Sequence, residues 1–190
     1  MSTQYIVDKN FVGIDFTKTT IELGEYEGCS FSNCHFLSVD LSHLNFIDCV
    51  FTNCDLSLTK LNNTALRDVK FVGCKLLGLH FDDCNKFSFS AFFEGCNLNL
   101  SSFYKMNMKN SQFKSCSLHE VDFIEANLTS SIFDVCDLMG ASFDRTVLEK
   151  ADFRTSRNFI IDPEKNKLKK AKFSVATLPG LLEKYNLVIE

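Results

Sequence analysis

The 190-residue chain has no tryptophan, only 2 prolines and 8 glycines, so it is neither a collagen-like nor a proline-rich low-complexity chain. No stretch approaches 18 consecutive apolar residues, which argues against a helical membrane span. The first residues, Met1 to Asp8, carry no basic start and no apolar stretch of secretory length, so a cytoplasmic location is expected. Nor is there an excess of positive charge. Twenty Lys and Arg against 24 Asp and Glu leave a net charge of -4, and direct nucleic-acid binding by the chain as a whole is not expected. What the chain does have is 20 phenylalanines and 9 cysteines, with 45% hydrophobic and 23% charged residues, the balance of one globular domain. An odd cysteine count fits free thiols in a reducing compartment.

Large apolar residues recur every five positions. The first series runs Phe11, Phe16, Ile21, Tyr26, Phe31, Phe36, Leu41, Phe46, Phe51, Leu56, Leu61, Leu66, Phe71, Leu76, Phe81. After two extra residues the second runs Phe93, Leu98, Phe103, Met108, Phe113, Leu118, Phe123, Leu128, Phe133, Leu138, Phe143, Leu148, Phe153. Fifteen and 13 make 28 units without a gap, a period that neither a helix at 3.6 nor a strand at 2 produces. Two residues before each large residue stands a smaller one, such as Cys34, Cys54, Ser101 or Ala126, and the other three positions are mostly polar. One large and one small residue turned inward in every five lets the chain make a corner per unit and close a square in four. The 20-residue coil this predicts is visible in Phe11, Phe31, Phe51, Phe71 and, past the insertion, Phe93, Phe113, Phe133, Phe153, Phe173. At the spacing of neighbouring strands, eight or so coils would form a rod on the order of 40 Å long.

Units such as Ala126-Asn127-Leu128-Thr129-Ser130 and Ala151-Asp152-Phe153-Arg154-Thr155 resemble the pentapeptide-repeat family, and the resemblance covers about Phe11 to Phe173. It implies an all-β protein, a right-handed quadrilateral parallel β-helix. Residues 1–10 are then an N-terminal cap segment, 11–173 the β-helix with a two-residue bulge near 85–90, and 174–190 a C-terminal helix and tail. In the bulge, Phe87 or Phe89 is expected at the corner where strict counting puts Lys86. Beyond Phe153 the pattern fails at Asn158 and Pro163 and returns at Leu168 and Phe173. Thr177 as N-cap, an early Pro179, and Leu178, Leu181, Leu182 and Tyr185 at helical spacing then predict a short amphipathic α-helix, followed by the apolar Leu187, Val188 and Ile189. The helix either plugs its own coil or meets a second copy. The ending resembles that of the Qnr-type quinolone-resistance proteins, which implies a homodimer through the C-terminus, with those four residues as its interface.

No nucleophile elbow, P-loop or zinc-binding motif is present, so no enzyme activity, cofactor or metal is predicted. All nine cysteines fall at the small inward position, and Cys34, Cys54, Cys74, then Cys96, Cys116, Cys136, repeat at 20, which reads as core packing. His35, His43, His80 and His119 point outward, in separate units. Charge is divided along the chain: residues 1–148 carry 11 basic and 18 acidic groups, net -7, and 149–190 carry nine and six, net +3. On the side holding Leu41, Phe81 and Phe123, counting collects Glu22, Asp40, Asp82, Asp83, Asp122, Glu125 and Asp144 against Lys60, Lys105 and Arg145, net negative by four. In family members that bind DNA gyrase an acidic rod imitates DNA, and the resemblance makes these residues the equivalent surface. A stripe of Leu37, Leu58, Leu77, Leu100 and Met139 is the competing feature, open to a protein partner or to cover by the segment around Tyr5 to Val7. The expected function is non-catalytic binding, as a DNA-mimicking gyrase modulator or as a general interaction scaffold.

Overall fold

The five-residue period has a local cause. At many corners outside the strands the third residue after a large inward one donates its N–H back to that residue's carbonyl: Val39 to Phe36 at 2.8 Å, Thr64 to Leu61 at 3.0 Å, Ala126 to Phe123 at 3.1 Å. The residue just before the donor takes positive φ, as in Ser38 at 58°, Asn63 at 56° and Glu125 at 57°. Glycine and asparagine suit that conformation best. Val135, at φ 53°, holds it against the preference of a β-branched residue and is a point of stored strain.

Repeating the corner builds a four-sided parallel β-helix, seen in a computed structural model that describes residues 4–87 and 89–188. We name its sides by one inward residue each. The Phe46 side carries a four-stranded sheet of Gln4–Val7, Gly24–Glu27, Asn45–Ile47 and Ala65–Arg67. The Phe31 side carries seven strands, from Asn10–Val12 to Ile132–Asp134. Single parallel bridges continue the stack on the Phe36 side, as in His35 to Asp55 to Lys75, and on the Leu41 side, as in His80 to Ser102 to Asp122. Residues twenty apart are vertical neighbours, Phe31 opposite Phe51 and Phe113 opposite Phe133. Gln4–Val7 pairs in register with Gly24–Glu27, so the first rung begins upstream of Phe11.

Inside, the phenylalanines stack face to face. Along the Phe31 column, ring centroids are 4.7 Å apart from Phe11 to Phe31, 5.1 Å from Phe93 to Phe113 and 4.6 Å from Phe133 to Phe153. A second column, Phe81, Phe103, Phe123 and Phe143, meets the first edge to face, with Phe103 and Phe113 rings 6.0 Å apart at 80°. Offset stacking within a column and perpendicular contact between columns are the two favoured aromatic geometries. The small residues add hydrogen bonds that their size alone does not announce. Cys49 Sγ donates to the Tyr26 carbonyl at 3.2 Å, Thr64 Oγ1 to Leu41 at 2.8 Å, and Ser131 Oγ to Met108 at 2.9 Å, in each case reaching one coil down. Cysteine, serine and threonine therefore satisfy buried carbonyls as well as fill space.

The insertion leaves the register intact, since Phe71 pairs with Phe93 and their rings lie 5.5 Å apart. Phe89 packs on the core, 6.2 Å from Phe81, whereas Phe87 is 76% exposed. Near the other end, the chain slips by one residue, and Phe159 is buried where counting placed Asn158.

The helical ending is present in 3-10 form, as Val175–Leu181 and Glu183–Tyr185, rather than as a single α-helix. Pro179, in the middle of the first segment, has no N–H for an α-helical ladder. Bonds three residues long, such as Leu182 N–H to the Pro179 carbonyl at 2.9 Å, hold it instead. Its N-cap is Ser174, and Thr177 lies inside, donating its hydroxyl to the Ser174 carbonyl at 3.2 Å. The turn lies on the last coil, where Ile161 N–H reaches the Gly180 carbonyl at 3.0 Å and a Cβ at Gly180 would collide with the Phe159 oxygen.

Candidate functional site

The outward residues of a rigid ladder are its chemistry. On the Leu41 side, Glu22, Asp40 and Asp83 are exposed and Asp82, Asp122, Glu125 and Asp144 half-buried. The structure divides the seven. Glu125 accepts from Arg145 at 3.0 Å and lies 3.6 Å from Lys105, and Arg145 also reaches Asp144 at 3.4 Å. Hydrogen bonding from Arg145 holds the Glu125 carboxyl below its ordinary value. Among the described residues, the other five have no lysine or arginine within ion-pair distance. Asp40 and Asp122 are fixed by accepting the N–H groups of Ser42, at 3.0 Å, and Ile124, at 2.7 Å. Hydrogen bonding from Ser42 lowers the Asp40 carboxyl, so it stays charged into mild acid.

On the neighbouring Phe36 side, Leu37, Leu58, Leu100 and Met139 are 50%, 55%, 55% and 53% exposed, with Leu77 half-buried beside them. The strand around Tyr5 to Val7 belongs to the Phe46 side and does not cover them. The histidines stay apart: His80 lies 3.5 Å from Asp82, and His119 lies 3.4 Å from Asp137. All nine cysteines are buried, and burial pushes the Cys49 thiol up to about 12. Among the described residues no group of three or more potential metal ligands is gathered, and no helix is long and apolar enough to cross a membrane.

At the C-terminal end the four residues expected in one stripe separate. Leu181 packs on the core and Leu182 is half-buried, whereas Leu178 and Tyr185 are exposed together with Val175, Leu187 and Val188. Lys184 bonds both Asp162 and Glu164 at 2.7 Å, and the Tyr185 hydroxyl donates to Glu164 at 2.9 Å, tying the segment to the last coil. Ile189 lies outside the described residues, as do Met1 to Thr3.

A family model described as the pentapeptide repeat region matches residues 24–92 and 86–158. The chain belongs to the pentapeptide-repeat family. No curated protein matches it. Among solved structures it is similar to QnrB1, a plasmid-mediated fluoroquinolone resistance protein, at 22% identity and a TM-score of 0.58, over 98% of this chain and 92% of that one. It is also similar to HetL, a pentapeptide-repeat protein involved in heterocyst differentiation regulation in the cyanobacterium Nostoc, at 16% identity and a TM-score of 0.58, over 90% and 84%. At these identities the likeness is one of fold.

Pentapeptide-repeat coils make the surface a grid, and on this grid one charged side escaped the sequence reading. Apart from Arg67 and Glu149, the Phe46 side carries Asp8, Glu25, Glu27, Asp48 and Asp68 in its first four coils, then Lys109, Lys150, Lys167, Lys169 and Lys170 in its last four. None of the ten is ion-paired among the described residues. The signal was available in the sequence as the split between -7 and +3, but whole-chain halves do not say which side collects the charge.

Proposed function

We propose that this pentapeptide-repeat protein acts without catalysis, as a rigid binding rod whose acidic Leu41 side occupies the DNA-binding surface of a topoisomerase of the gyrase class. The observation that supports this reading is the set of five carboxylates, Glu22, Asp40, Asp82, Asp83 and Asp122, with no lysine or arginine partner among the described residues. A DNA-binding surface rich in lysine and arginine supplies the missing partners. The ladder holds each carboxylate at a fixed height, so little order is lost on binding. The resemblance to fluoroquinolone resistance proteins narrows the class of partner. The exposed Val175, Leu178, Tyr185, Leu187 and Val188 at the C-terminal end suit a two-fold contact with a second copy.

The test is a gyrase supercoiling assay with and without a quinolone, comparing wild type with a variant in which Glu22, Asp40 and Asp83 become lysine. Wild type should inhibit or protect, and the charge-reversed protein should do neither. A wild-type protein without effect in both assays rejects the reading. The exposed leucine stripe on the Phe36 side favours a second one, a scaffold binding an apolar protein surface. In that case Leu58→Asp with Leu100→Asp abolishes partner capture, and the acidic variant does not.

A further inference from the structure

Opposite charges at the two ends of one side raise a geometric question that the Leu41 side does not. We infer that the Phe46 side is an interface between two copies of this chain, packed side by side and antiparallel. A two-fold axis lying in the contact plane, perpendicular to the rod, sets each vertical column against the same column of the other copy with coil order reversed. Glu25 and Lys167 share one column, Glu27 and Lys169 the next, Asp48 and Lys150 the third. When the coil of Glu25 faces the coil of Lys167, Glu25 meets Lys167, Glu27 meets Lys169, and one coil further in Asp48 meets Lys150. Symmetry repeats all three contacts. In this register Arg67 faces Thr129 and Glu149 faces Ile47, so no like charges are opposed.

Displacement by one coil toward the chain ends sets Glu27 against Glu149 and Arg67 against Lys109, both repulsive. Parallel packing sets the acidic half against the acidic half and the lysine half against the lysine half. An unrelated partner covering this side would have to carry both signs of charge in the reverse order, which a second copy of this chain does by symmetry. The side chains are exposed, apart from a half-buried Glu25, and strands beneath the acidic residues and single parallel bridges beneath the lysines hold their spacing. Contacts of this kind are screened by salt, so association belongs to low ionic strength.

Zero-length carbodiimide cross-linking of an equal mixture of unlabelled and 15N-labelled protein, read by mass spectrometry, tests this. Glu27 and Lys169 are seven coils apart in one chain, roughly 34 Å at strand spacing, so a link between them must join two molecules. We expect mixed-isotope links Glu27–Lys169 and Asp48–Lys150, falling about tenfold between 25 and 250 mM salt. Links from Asp68 to Lys150 would uphold the same antiparallel interface displaced by one coil in the opposite direction, where Asp48 meets Lys170 and Arg67 meets Glu149. The pair of changes Glu25→Lys and Glu27→Lys should abolish the links, and mixing that variant with Lys167→Glu, Lys169→Glu protein should restore association. The surface variants should retain the wild-type circular dichroism spectrum. A protein that sediments as a monomer at 25 mM salt overturns the inference. So does a salt-resistant dimer without links on this side that Leu178→Asp dissociates, because that dimer is formed by the C-terminal end alone.

Discussion

Truncating Phe113 to alanine removes a ring that has no solvent exposure and four aromatic neighbours. Phe93 stacks on one face at 5.1 Å and Phe133 on the other at 4.9 Å, while Phe103 and Phe123 approach edge-on at 6.0 Å. Burying such a side chain is worth about 1.5–3 kcal/mol in transfer alone, and a cavity that cannot collapse adds to that, giving roughly 3–5 kcal/mol for Phe to Ala. Collapse is hindered here because the backbone on every side is held in coil register by ladder hydrogen bonds. The upper half of the range is therefore expected. Phe11, half-buried at the open end with one stacked neighbour, is the internal control and should lose about half as much or less on the same change. Urea titration followed by far-ultraviolet circular dichroism measures both. A loss below about 1 kcal/mol at Phe113, or equal losses at the two sites, would refute a closed aromatic column.

The nine thiols should resist a membrane-impermeant labelling reagent at pH 8 and react together in guanidinium, since all are buried. Rapid labelling of any one without denaturant would place that residue outside the core. Gly180→Val should release the C-terminal segment, because the new Cβ meets the Phe159 carbonyl, and limited proteolysis would show early cleavage after Lys184. Hydrogen bonding from Lys184 lowers both the Asp162 and the Glu164 carboxyls. Groups lowered in the folded state stabilise it above their unfolded values, and that stabilisation is lost as pH falls through the lowered ones. Docking of the segment, read from Tyr185 fluorescence, should thus hold at pH 7 and weaken in acid. Lys184→Ala should leave docking weaker at pH 7 and remove most of its acid dependence.

The architecture was legible because a solenoid writes its three-dimensional neighbours into the sequence at one fixed interval. Phe11 to Phe173 could be aligned into a column by counting, including the step across the insertion, and the cysteines could be assigned to the core by position alone. The same counting, carried five residues upstream of Phe11 to Ile6, finds the first rung, which Gln4–Val7 forms by pairing with Gly24–Glu27. Counting was blind to contacts that do not repeat. The 3-10 form of the ending depends on Pro179 lying within the segment and on Gly180 meeting Phe159, a tertiary contact without a periodic signature. Residue counts on the Leu41 side gave its net charge but not its division, since Glu125 and Asp144 are paired with Arg145 and Lys105 while Asp83 is not. The divided charge of the Phe46 side depends on which coil each lysine occupies and on its having no ion-pair partner among the described residues, neither of which a count of charges contains. Nor does composition show why cysteine, serine and threonine share one inward column: the reason is the carbonyl one coil below.

The most direct measurement is NMR scalar coupling across backbone hydrogen bonds in uniformly 13C,15N-labelled protein, because it reports which carbonyl each amide engages. The coil predicts a coupling from the Ser117 amide to the Cys96 carbonyl and from the Leu118 amide to the Asp137 carbonyl, 21 residues back and 19 forward. Across the insertion the backward step should lengthen to 23, from the Asn97 amide to the Cys74 carbonyl. Couplings dominated by carbonyls four residues back, or a step across the insertion that stays at 21, would contradict it.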